Sequence, residues 1–507
     1  MTTPGLNVLL ITADQWRGDL LGAAGHPFAS TPHLDALAAD GTRFARHYCQ
    51  AYPCGPARAS MLTGLYPHKH RSIQNGVPLD ARHPTLFKEA RRGGYRPRLF
   101  GYSDTTLDPR GRPELDPDRG DYENVCPGLD VDTLLTERAV SWLADLLAKG
   151  YDVDPDGGRD AVFAARGPGE PPLFSAEDSE AAFLTDRFLL WLAAAGSRPW
   201  FAHLSYISPH PPFAAAPPYD TLVDVGQVPL PKRGAAPETE AAQHPFIAAL
   251  YDQMDAGHFV PGLNGRSRDV SDDMIRRIRA IYAGQAAEVD HHIGRIVAAL
   301  TASGALERTL VIFTSDHAEQ LFDHWMLGKA GYFDQSAHVP LIIRHPGALA
   351  RAHRGRTVQQ FTESIDLMPT ILTAIGVTPP RNCDGHSLLP YCFGEAPAGW
   401  RDEVHWSTDF RDIETRRMEQ QFGLPSEWCN LQVIRTERLK YVHFAGLPPV
   451  LFDLEDDPDE LVNRADDPAA RPLKLEALDR LLTWRQRNEE RTLTGYLARA
   501  GRYFEET

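Results

Sequence analysis

Apolar runs of strand length recur through the first 380 positions, and segments with apolar residues at helical spacing separate them. The runs cover residues 6–12, 98–102, 201–207, 309–314 and 340–344. Unbroken apolar runs are typical of strands that are covered on both faces. The pattern therefore predicts an α/β fold with a large, mostly parallel central sheet and helices on both faces.

The pattern changes near residue 380, where shorter segments and turn residues begin, followed by a polar helix at 472–490. We predict a large domain at 1–380 and a smaller C-terminal α+β domain at 381–507. Within the large domain, residues 273–303 are expected to form a pair of helices. Two stretches rich in Pro, Gly and Asp, 104–130 and 209–243, are expected to be long surface excursions, which often form part of a site.

Polar residues follow four of the apolar runs, at the point where each predicted strand ends. They are Asp14 and Gln15, Tyr102, His210, and Asp316 with His317. In open α/β sheets, ligands bind outside the carboxyl ends of the strands. Each residue alone is compatible with a helix cap or a surface turn, whereas the set predicts an active site at one edge of the sheet.

A helix with a cysteine close to its start is indicated by the segment CysGlyProAlaArgAlaSerMetLeuThrGly at 54–64. Pro56 suits the first position of a helix, which would place Cys54 at a helix N-terminus, where peptide dipoles favour negative charge. Arg58 would lie one turn further along, facing the same way. A buried free cysteine and a reactive thiolate both remain open at this point.

Cys-x-Pro-x-Arg followed by Leu-Thr-Gly resembles the signature of the sulfatase family, within the alkaline phosphatase superfamily. Further segments that resemble this family occur in family order at 12–15, 314–317, 328–329, 364–370, 384–388 and 451–460. They span nearly the whole chain. The resemblance implies a sulfatase-like fold and an enzyme whose Cys54 is oxidised to formylglycine by a formylglycine-generating enzyme.

The branch of the family is indicated by residues 100–105, PheGlyTyrSerAspThr. The common sulfatases have a Gly-Lys-x-His element there, whereas this segment and those at 14–17, 209–212 and 323–329 resemble phosphonate monoester hydrolases and phosphodiesterases. Replacing a cation by the neutral donor Tyr102 suits a substrate group with less charge and an extra substituent. Two departures are Ala318, where the family usually has Gly, and Asp104, where we expect a Thr.

The resemblance also implies the roles of individual residues. One divalent metal ion, Mn²⁺ or Ca²⁺, would be held by Asp14, Gln15, Cys54, Asp316 and His317. Catalytic roles fall to Cys54, Arg58, His210 and Lys329, and substrate-binding roles to Tyr102, Asp104 and Asn75. The hydrated aldehyde would attack phosphorus or sulfur, Arg58 and Lys329 would stabilise charge, and His210 would protonate the departing oxygen.

The function implied is metal-dependent hydrolysis of phosphonate monoesters and phosphodiesters, with promiscuous hydrolysis of sulfate esters. Two alternatives remain open. One is an arylsulfatase on the same scaffold, against which the missing Gly-Lys-x-His element counts. The other is a catalytically dead binding member of the family, against which the intact Cys54, Arg58 and Lys329 count.

Charge and composition limit the partners. The chain has 507 residues and a formal net charge of −16, which argues against nucleic acid or an anionic membrane as a partner. An anionic ester substrate must therefore be held by local cations. The six cysteines lack paired spacing, so neither a disulfide framework nor a structural zinc site is expected.

The sequence also gives expectations for the cellular compartment and for the number of subunits. The first apolar run is short and ends at Asp14, which is unlike a secretory signal, so we expect a cytoplasmic protein. Aromatic residues in the segment 492–504 suggest either a tail packed on its own subunit or a contact between subunits. We expect a homo-oligomer, a dimer or a tetramer.

Overall fold

A sheet of nine strands forms the centre of the computed structural model, which describes residues 5–154, 156–163 and 166–505. The strands are β1 (Asn7–Ala13), β2 (Thr42–Tyr48), β3 (Pro97–Gly101), β4 (Asp130–Leu134), β5 (Phe201–Tyr206), β6 (Thr309–Thr314), β7 (His338–Val339), β8 (Leu341–Arg344) and β9 (Arg356–Glu363). Their order is β4-β3-β5-β1-β6-β8-β2, with β7 and β9 paired to β2.

The pairings from β4 through to β6 are parallel, as is that of β2 with β9. Strand β8 runs antiparallel to both of its neighbours, β6 and β2. The prediction of a large, mostly parallel central sheet is confirmed.

Helices cover both faces of this sheet. The helices are α1 (Pro32–Ala39), α2 (Cys54–Thr63), α3 (Pro67–His70), α4 (Leu86–Arg92), α5 (Val140–Ala148), α6 (Gly158–Ala161), α7 (Glu180–Ala194), α8 (Pro237–Ala241), α9 (Pro245–Gln253), α10 (Asp272–Ala302), α11 (Asp334–Ala337), α12 (Ala348–Arg351), α13 (Leu367–Ala374), α14 (Leu389–Cys392), α15 (Arg417–Phe422) and α16 (Arg471–Arg487). Leu9 and Ile11 of β1 pack with α1, α7 and α10, whereas Val8 and Leu10 pack with α2, α4 and α13 on the opposite face. Because successive strand side chains point to opposite faces, burial on both explains the unbroken apolar run.

The expected pair of helices at 273–303 is wrong, because one helix of 31 residues, α10, spans the region. Ser271 caps its start by accepting a hydrogen bond from the Met274 N–H. Gly284 does not interrupt the helix. A Cβ at that position would lie 2.1 Å from the carbonyl oxygen of Tyr219, so the glycine permits a close approach of two segments.

A second, antiparallel sheet forms the C-terminal region. Its strands are β10 (Glu403–Asp409), β11 (Asn430–Thr436), β12 (Leu439–Phe444) and β13 (Val450–Asp453), in sequential order. Leu473 and Leu481 of α16 pack against Leu439 and Tyr441 of this sheet. The smaller α+β region is confirmed as part of the fold, while the boundary at residue 380 stays a prediction.

The last described residues form a hairpin of β14 (Tyr496–Arg499) and β15 (Arg502–Glu505). Its side chains Leu497, Tyr503 and Phe504 are exposed. Nothing among the helices of the described residues has the length and apolarity needed to cross a membrane. All six cysteines are free.

Candidate active site

Four adjacent strands, in the order β3-β5-β1-β6, deliver polar residues to one edge of the sheet. Asp14 follows β1, Asp316 and His317 follow β6, Tyr102 follows β3, and His210 comes four residues after β5. These side chains meet because the strands are parallel, so their carboxyl ends share an edge. The structure therefore brings together the residues that the strand pattern selected.

Helix α2 approaches the same edge with its N-terminus. It begins at Cys54, so the expectation that Pro56 occupies the first helical position is wrong by two residues. Pro53 is the extended N-cap residue, and Pro56 still lies in the first turn, where a missing N–H breaks no helical hydrogen bond. The Gly55 N–H donates to Oδ1 of Asn75 over 2.8 Å, which fixes the helix start.

Asp14, Cys54, Asp316 and His317 form a buried cluster that could hold a metal ion. One ligand atom from each residue lies within 4.8 Å of the others. The Cys54 Sγ is 3.2 Å from Nε2 of His317 and 3.9 Å from Oδ1 of Asp14. In a formylglycine enzyme this sulfur stands in for the oxygen of residue 54.

The protonation of His317 suits metal ligation. Its Nδ1 lies 3.2 Å from the carbonyl oxygen of Ala318, so Nδ1 carries the proton and Nε2 presents its lone pair to the cluster. Burial lowers the pKa of His317 even though Asp316 opposes this effect. The imidazole is therefore neutral at pH 7.

Asp14 belongs to the same donor set and is ionised at neutral pH. Burial alone would raise its pKa, but His317, Lys329 and Arg58 together lower the pKa to about 2. An ionised carboxylate beside a second carboxylate and a neutral imidazole fits a divalent cation such as Mn²⁺ or Ca²⁺. The residues present thus fit the metal ion that the resemblance implies.

The thiol of Cys54 is unsuited to act as a thiolate. Burial raises its pKa well above the ordinary value, and the negative charge of Asp14 raises it further. The positive charge of Lys329 opposes these effects without cancelling them. Of the two interpretations of an unmodified cysteine, the reactive thiolate is therefore disfavoured.

Arg58 is wholly buried and binds four oxygen atoms. Its Nε is 2.9 Å from Oδ2 of Asp316, and its Nη2 is 3.4 Å from Oδ2 of Asp14. Its Nη1 donates to Oγ of Ser205 and to the Tyr102 carbonyl oxygen, at 2.9 and 3.2 Å. The guanidinium therefore holds the two carboxylates in place and offsets their charge.

Tyr102 lies under this guanidinium, with its ring centroid 4.1 Å from the Arg58 carbon Cζ. The phenol hydroxyl donates a hydrogen bond to Oδ2 of Asp14. Burial raises the pKa of Tyr102 well above its ordinary value, so the phenol remains a neutral donor. The residue also lines a cavity beside the cluster.

Lys329 connects Gln15 and His210. Its Nζ lies 2.6 Å from Oε1 of Gln15 and 2.9 Å from Nε2 of His210. Since Nδ1 of His210 is 2.8 Å from the carbonyl oxygen of Pro211, Nδ1 carries the imidazole proton and Nε2 accepts from the ammonium group. Burial and then Lys329 lower the pKa of His210, so the extra proton of the pair resides on the lysine.

Glu319 and Ser205 are site residues that the sequence reasoning missed. Glu319 accepts a hydrogen bond from Nε2 of Gln15, whose backbone is held at a φ of 65°. Glu319 follows Asp316 by three positions, and Ser205 lies in the run before His210, so both stand beside recognised segments. Their hydrogen bonds to Gln15 and Arg58, which lie more than 140 residues away along the chain, are what place them in the site.

A cavity of about 220 Å³ opens onto the cluster. Its lining includes Asp14, Cys54, Asn75, Tyr102, His210 and Lys329 from the predicted set. Asp104, Tyr122 and Glu123 come from the predicted excursion at 104–130, and Pro211 and Pro212 come from that at 209–243. Both long excursions therefore form walls of the site.

Comparison with known proteins identifies the family. The family model described as sulfatase matches residues 6–377, and that described as N-sulphoglucosamine sulphohydrolase, C-terminal, matches residues 322–487. The multifunctional alkaline phosphatase superfamily protein PehA of Trinickia caryophylli is 41% identical over 502 residues, covering 97% of each chain.

Two solved structures have the same fold over their full length. A phosphonate monoester hydrolase of Agrobacterium radiobacter superposes with a TM-score of 0.95 and 45% identity, covering 99% of this chain and 100% of that chain. The phosphonate monoester hydrolase of Silicibacter pomeroyi superposes with a TM-score of 0.93 and 39% identity, covering 99% of each chain. The chain belongs to the sulfatase family of the alkaline phosphatase superfamily and is a hydrolase of that family.

Proposed function

We propose that the protein hydrolyses phosphonate monoesters and phosphodiesters with a formylglycine nucleophile made from Cys54, and sulfate esters more slowly. Support comes from the 45% and 39% identity to two phosphonate monoester hydrolases. It comes also from the cluster of Cys54 with two aspartates and a histidine.

The observation that carries this proposal is the neutral phenol of Tyr102 beside the cluster. A phenol donates a hydrogen bond without a full charge, so it suits a phosphoryl group that has one charge and one extra substituent. We propose that the hydroxyl turns from Asp14 to a substrate oxygen when an ester enters the cavity. Lys329 is then the charged side chain that faces the ester directly.

The chemistry that a divalent ion and formylglycine supply at this site is an activated hydroxyl at residue 54 and a polarised ester oxygen. Asp14, Asp316 and His317 would hold the ion, with Oε1 of Gln15 as a further candidate ligand. Arg58 keeps the two carboxylates in place. Lys329 stabilises negative charge on the transferring group.

The hydrogen-bonded pair of Lys329 and His210 would supply the proton for the departing oxygen. The lysine carries the proton, and the imidazole Nε2 accepts from it. Protonation of the departing oxygen from this pair can proceed either directly from the ammonium or through the imidazole. His210 therefore acts together with Lys329 in our proposal.

Side-by-side turnover of aryl esters with one leaving group tests the substrate class. For p-nitrophenyl phenylphosphonate, bis(p-nitrophenyl) phosphate and p-nitrophenyl sulfate, we expect kcat/KM to be lowest for the sulfate. Tyr102→Phe should lower the diester rate. A clear preference for the sulfate would favour an arylsulfatase, and no turnover by metal-loaded, modified protein would favour a binding protein.

Peptide mass spectrometry across Cys54 tests the nucleophile. We expect formylglycine in protein co-produced with a formylglycine-generating enzyme, and Cys54→Ala should lose at least about a thousandfold of activity while remaining folded. Cys383→Ala is the matched control, since this thiol lies outside the cavity lining, against the carbonyl oxygen of Gly64 just past the C-terminal end of α2. Full activity of protein with an unmodified thiol would contradict the proposal.

Metal analysis tests the donor set. We expect one divalent ion per chain in the wild type and loss of both occupancy and rate in Asp316→Ala, since the ion is held by few protein groups. Full metal content in that variant would refute the assignment of Asp316.

A further inference from the structure

Several acids line the cavity, although the ester group that the proposed function places beside Cys54 is anionic. Asp104, Glu123, Glu137 and Asp160 all line it. Arg159 also lines it, but its Nε is bound to Glu180 at 2.7 Å. A substituent of a substrate in this cavity therefore meets more acidic than basic side chains.

Asp104 is the acid that lies deepest among these. It is only 9% exposed and lines the cavity, yet it makes no hydrogen bond or ion pair with any side chain of the described residues. Its backbone has a φ of 42°, a conformation uncommon for residues other than glycine. A buried carboxylate without a partner raises the free energy of the folded protein. A ligand that brings a cation or a hydrogen-bond donor to Asp104 would therefore be stabilised there.

The neighbouring cations are already engaged. Arg58 binds Asp316 and Asp14, and Lys329 binds Gln15 and His210. Burial raises the pKa of Asp104 to about 7, and the effect of Arg58 in the opposite direction does not prevent this. Arg58 and Lys329 thus leave Asp104 without a bonded partner, which a cationic group of a bound molecule can supply.

Glu123 extends the same acidic wall toward the solvent. Burial likewise raises its pKa to about 7, with Glu137 and Asp121 contributing. The aromatic rings of Tyr122 and Phe259 line the cavity as well, and aromatic faces attract cations. Carboxylates and rings together form a wall that suits an ammonium group.

We propose that the preferred substrates are zwitterionic esters, in which a substituent of the phosphoryl group carries an ammonium that binds against Asp104 and Glu123. The inference rests on the proposed function for the anionic end of the molecule. A cavity of about 220 Å³ suits a substituent of the size of a small amino alcohol. The acidic wall would discriminate against a substituent that is neutral or anionic.

A matched pair of diesters tests this substrate class. p-Nitrophenyl phosphocholine carries a quaternary ammonium, and p-nitrophenyl 3,3-dimethylbutyl phosphate is its uncharged isostere. We expect kcat/KM of the wild type to favour the choline ester by at least about tenfold. Asp104→Asn and Glu123→Gln should each reduce this ratio, whereas Glu476→Gln, which removes an exposed charge of α16, should leave it unchanged.

A ratio near one in the wild type would overturn the inference, while turnover of both esters would leave the proposed function intact. A ratio that persists in both Asp104→Asn and Glu123→Gln would overturn the assignment to this wall. No turnover of either ester or of bis(p-nitrophenyl) phosphate would contradict the proposed function itself. Competitive inhibition of the wild type by phosphocholine, compared with 3,3-dimethylbutyl phosphate, gives the same discrimination without a variant.

Discussion

Arg58 holds two buried carboxylates that would otherwise repel each other. Its guanidinium contacts Asp316, Asp14 and Ser205, and the planar fork reaches oxygens that a single ammonium cannot reach together. Because removing one partner of a buried ion pair leaves an uncompensated charge, the residue is as important for stability as for the site.

Arg58→Met removes the positive charge and should lower the free energy of unfolding of the metal-free protein by about 3 kcal/mol and weaken activity. Ser205→Ala removes one neutral hydrogen-bond partner of the same guanidinium and should cost about 1 kcal/mol. Urea unfolding of both variants measures the difference. Equal stability of the two variants would show that the carboxylates do not depend on the guanidinium.

Asp104 makes stability depend on pH. Burial raises its pKa from 3.8 to about 7, with Asp14, Asp316 and Glu123 adding to the effect and Arg58 opposing it. The folded state therefore binds the proton more tightly than the unfolded state. This contribution to stability is complete below about pH 4 and is lost as the pH rises through 7.

Asp104→Asn should consequently stabilise the metal-free protein more at pH 8 than at pH 5, by about 2.5 kcal/mol. Thermal unfolding of variant and wild type between pH 5 and pH 9 measures this, with Glu476→Gln as the control for net charge. A constant difference in Tm across this range would show that Asp104 does not titrate there.

Helix α2 is the element that carries Cys54 to the strand ends. Pro53 provides no side-chain cap, so the acceptor for the Gly55 N–H comes from Asn75, twenty residues along the chain. Unsatisfied N–H groups at a buried helix start are costly. The position of residue 54 therefore depends on a side chain outside the helix.

Asn75→Ala should lower the free energy of unfolding by about 1 kcal/mol and should lower kcat/KM, because the helix start loses its acceptor. Asn75→Asp retains an acceptor oxygen and should recover most of the lost stability. Unfolding curves and turnover of the same diester measure both effects. If Ala and Asp variants are equally unstable, the bond to Gly55 is not the cause.

For the whole molecule, the hairpin of β14 and β15 is unusual because two of its side chains, Leu497 and Tyr503, are 58% and 68% exposed. An isolated two-stranded hairpin is only marginally stable in water. We propose that it packs on a second copy of the chain, which agrees with the expectation of a homo-oligomer.

Leu497→Asp should reduce the molar mass measured by light scattering from that of an oligomer to that of a monomer. A charge in an apolar contact loses its hydration without gaining a partner. Leu190→Asp, on α7, where the leucine is 67% exposed, should leave the oligomer unchanged. A monomeric wild type would refute the contact.

Strand positions could be predicted from the sequence because burial on both faces leaves a local signal. The run at 309–314 coincides with β6, and the four strand ends that deliver Asp14, Tyr102, His210 and Asp316 share an edge. The fold class, the family and the central site residues follow from such local signals. The sequence by itself thus determined most of the chemical groups that meet at this edge, although not Glu319 or Ser205.

Which side chains form hydrogen bonds with those groups was decided only by the tertiary structure. Tyr102 donates to Asp14, and Gln15 donates to Glu319 more than 300 residues away, contacts that no local pattern records. The uninterrupted α10 and the early start of α2 likewise depend on packing. The unpaired carboxylate of Asp104 exists because the folded chain buries it without supplying a cation, and burial and pairing are properties of the fold.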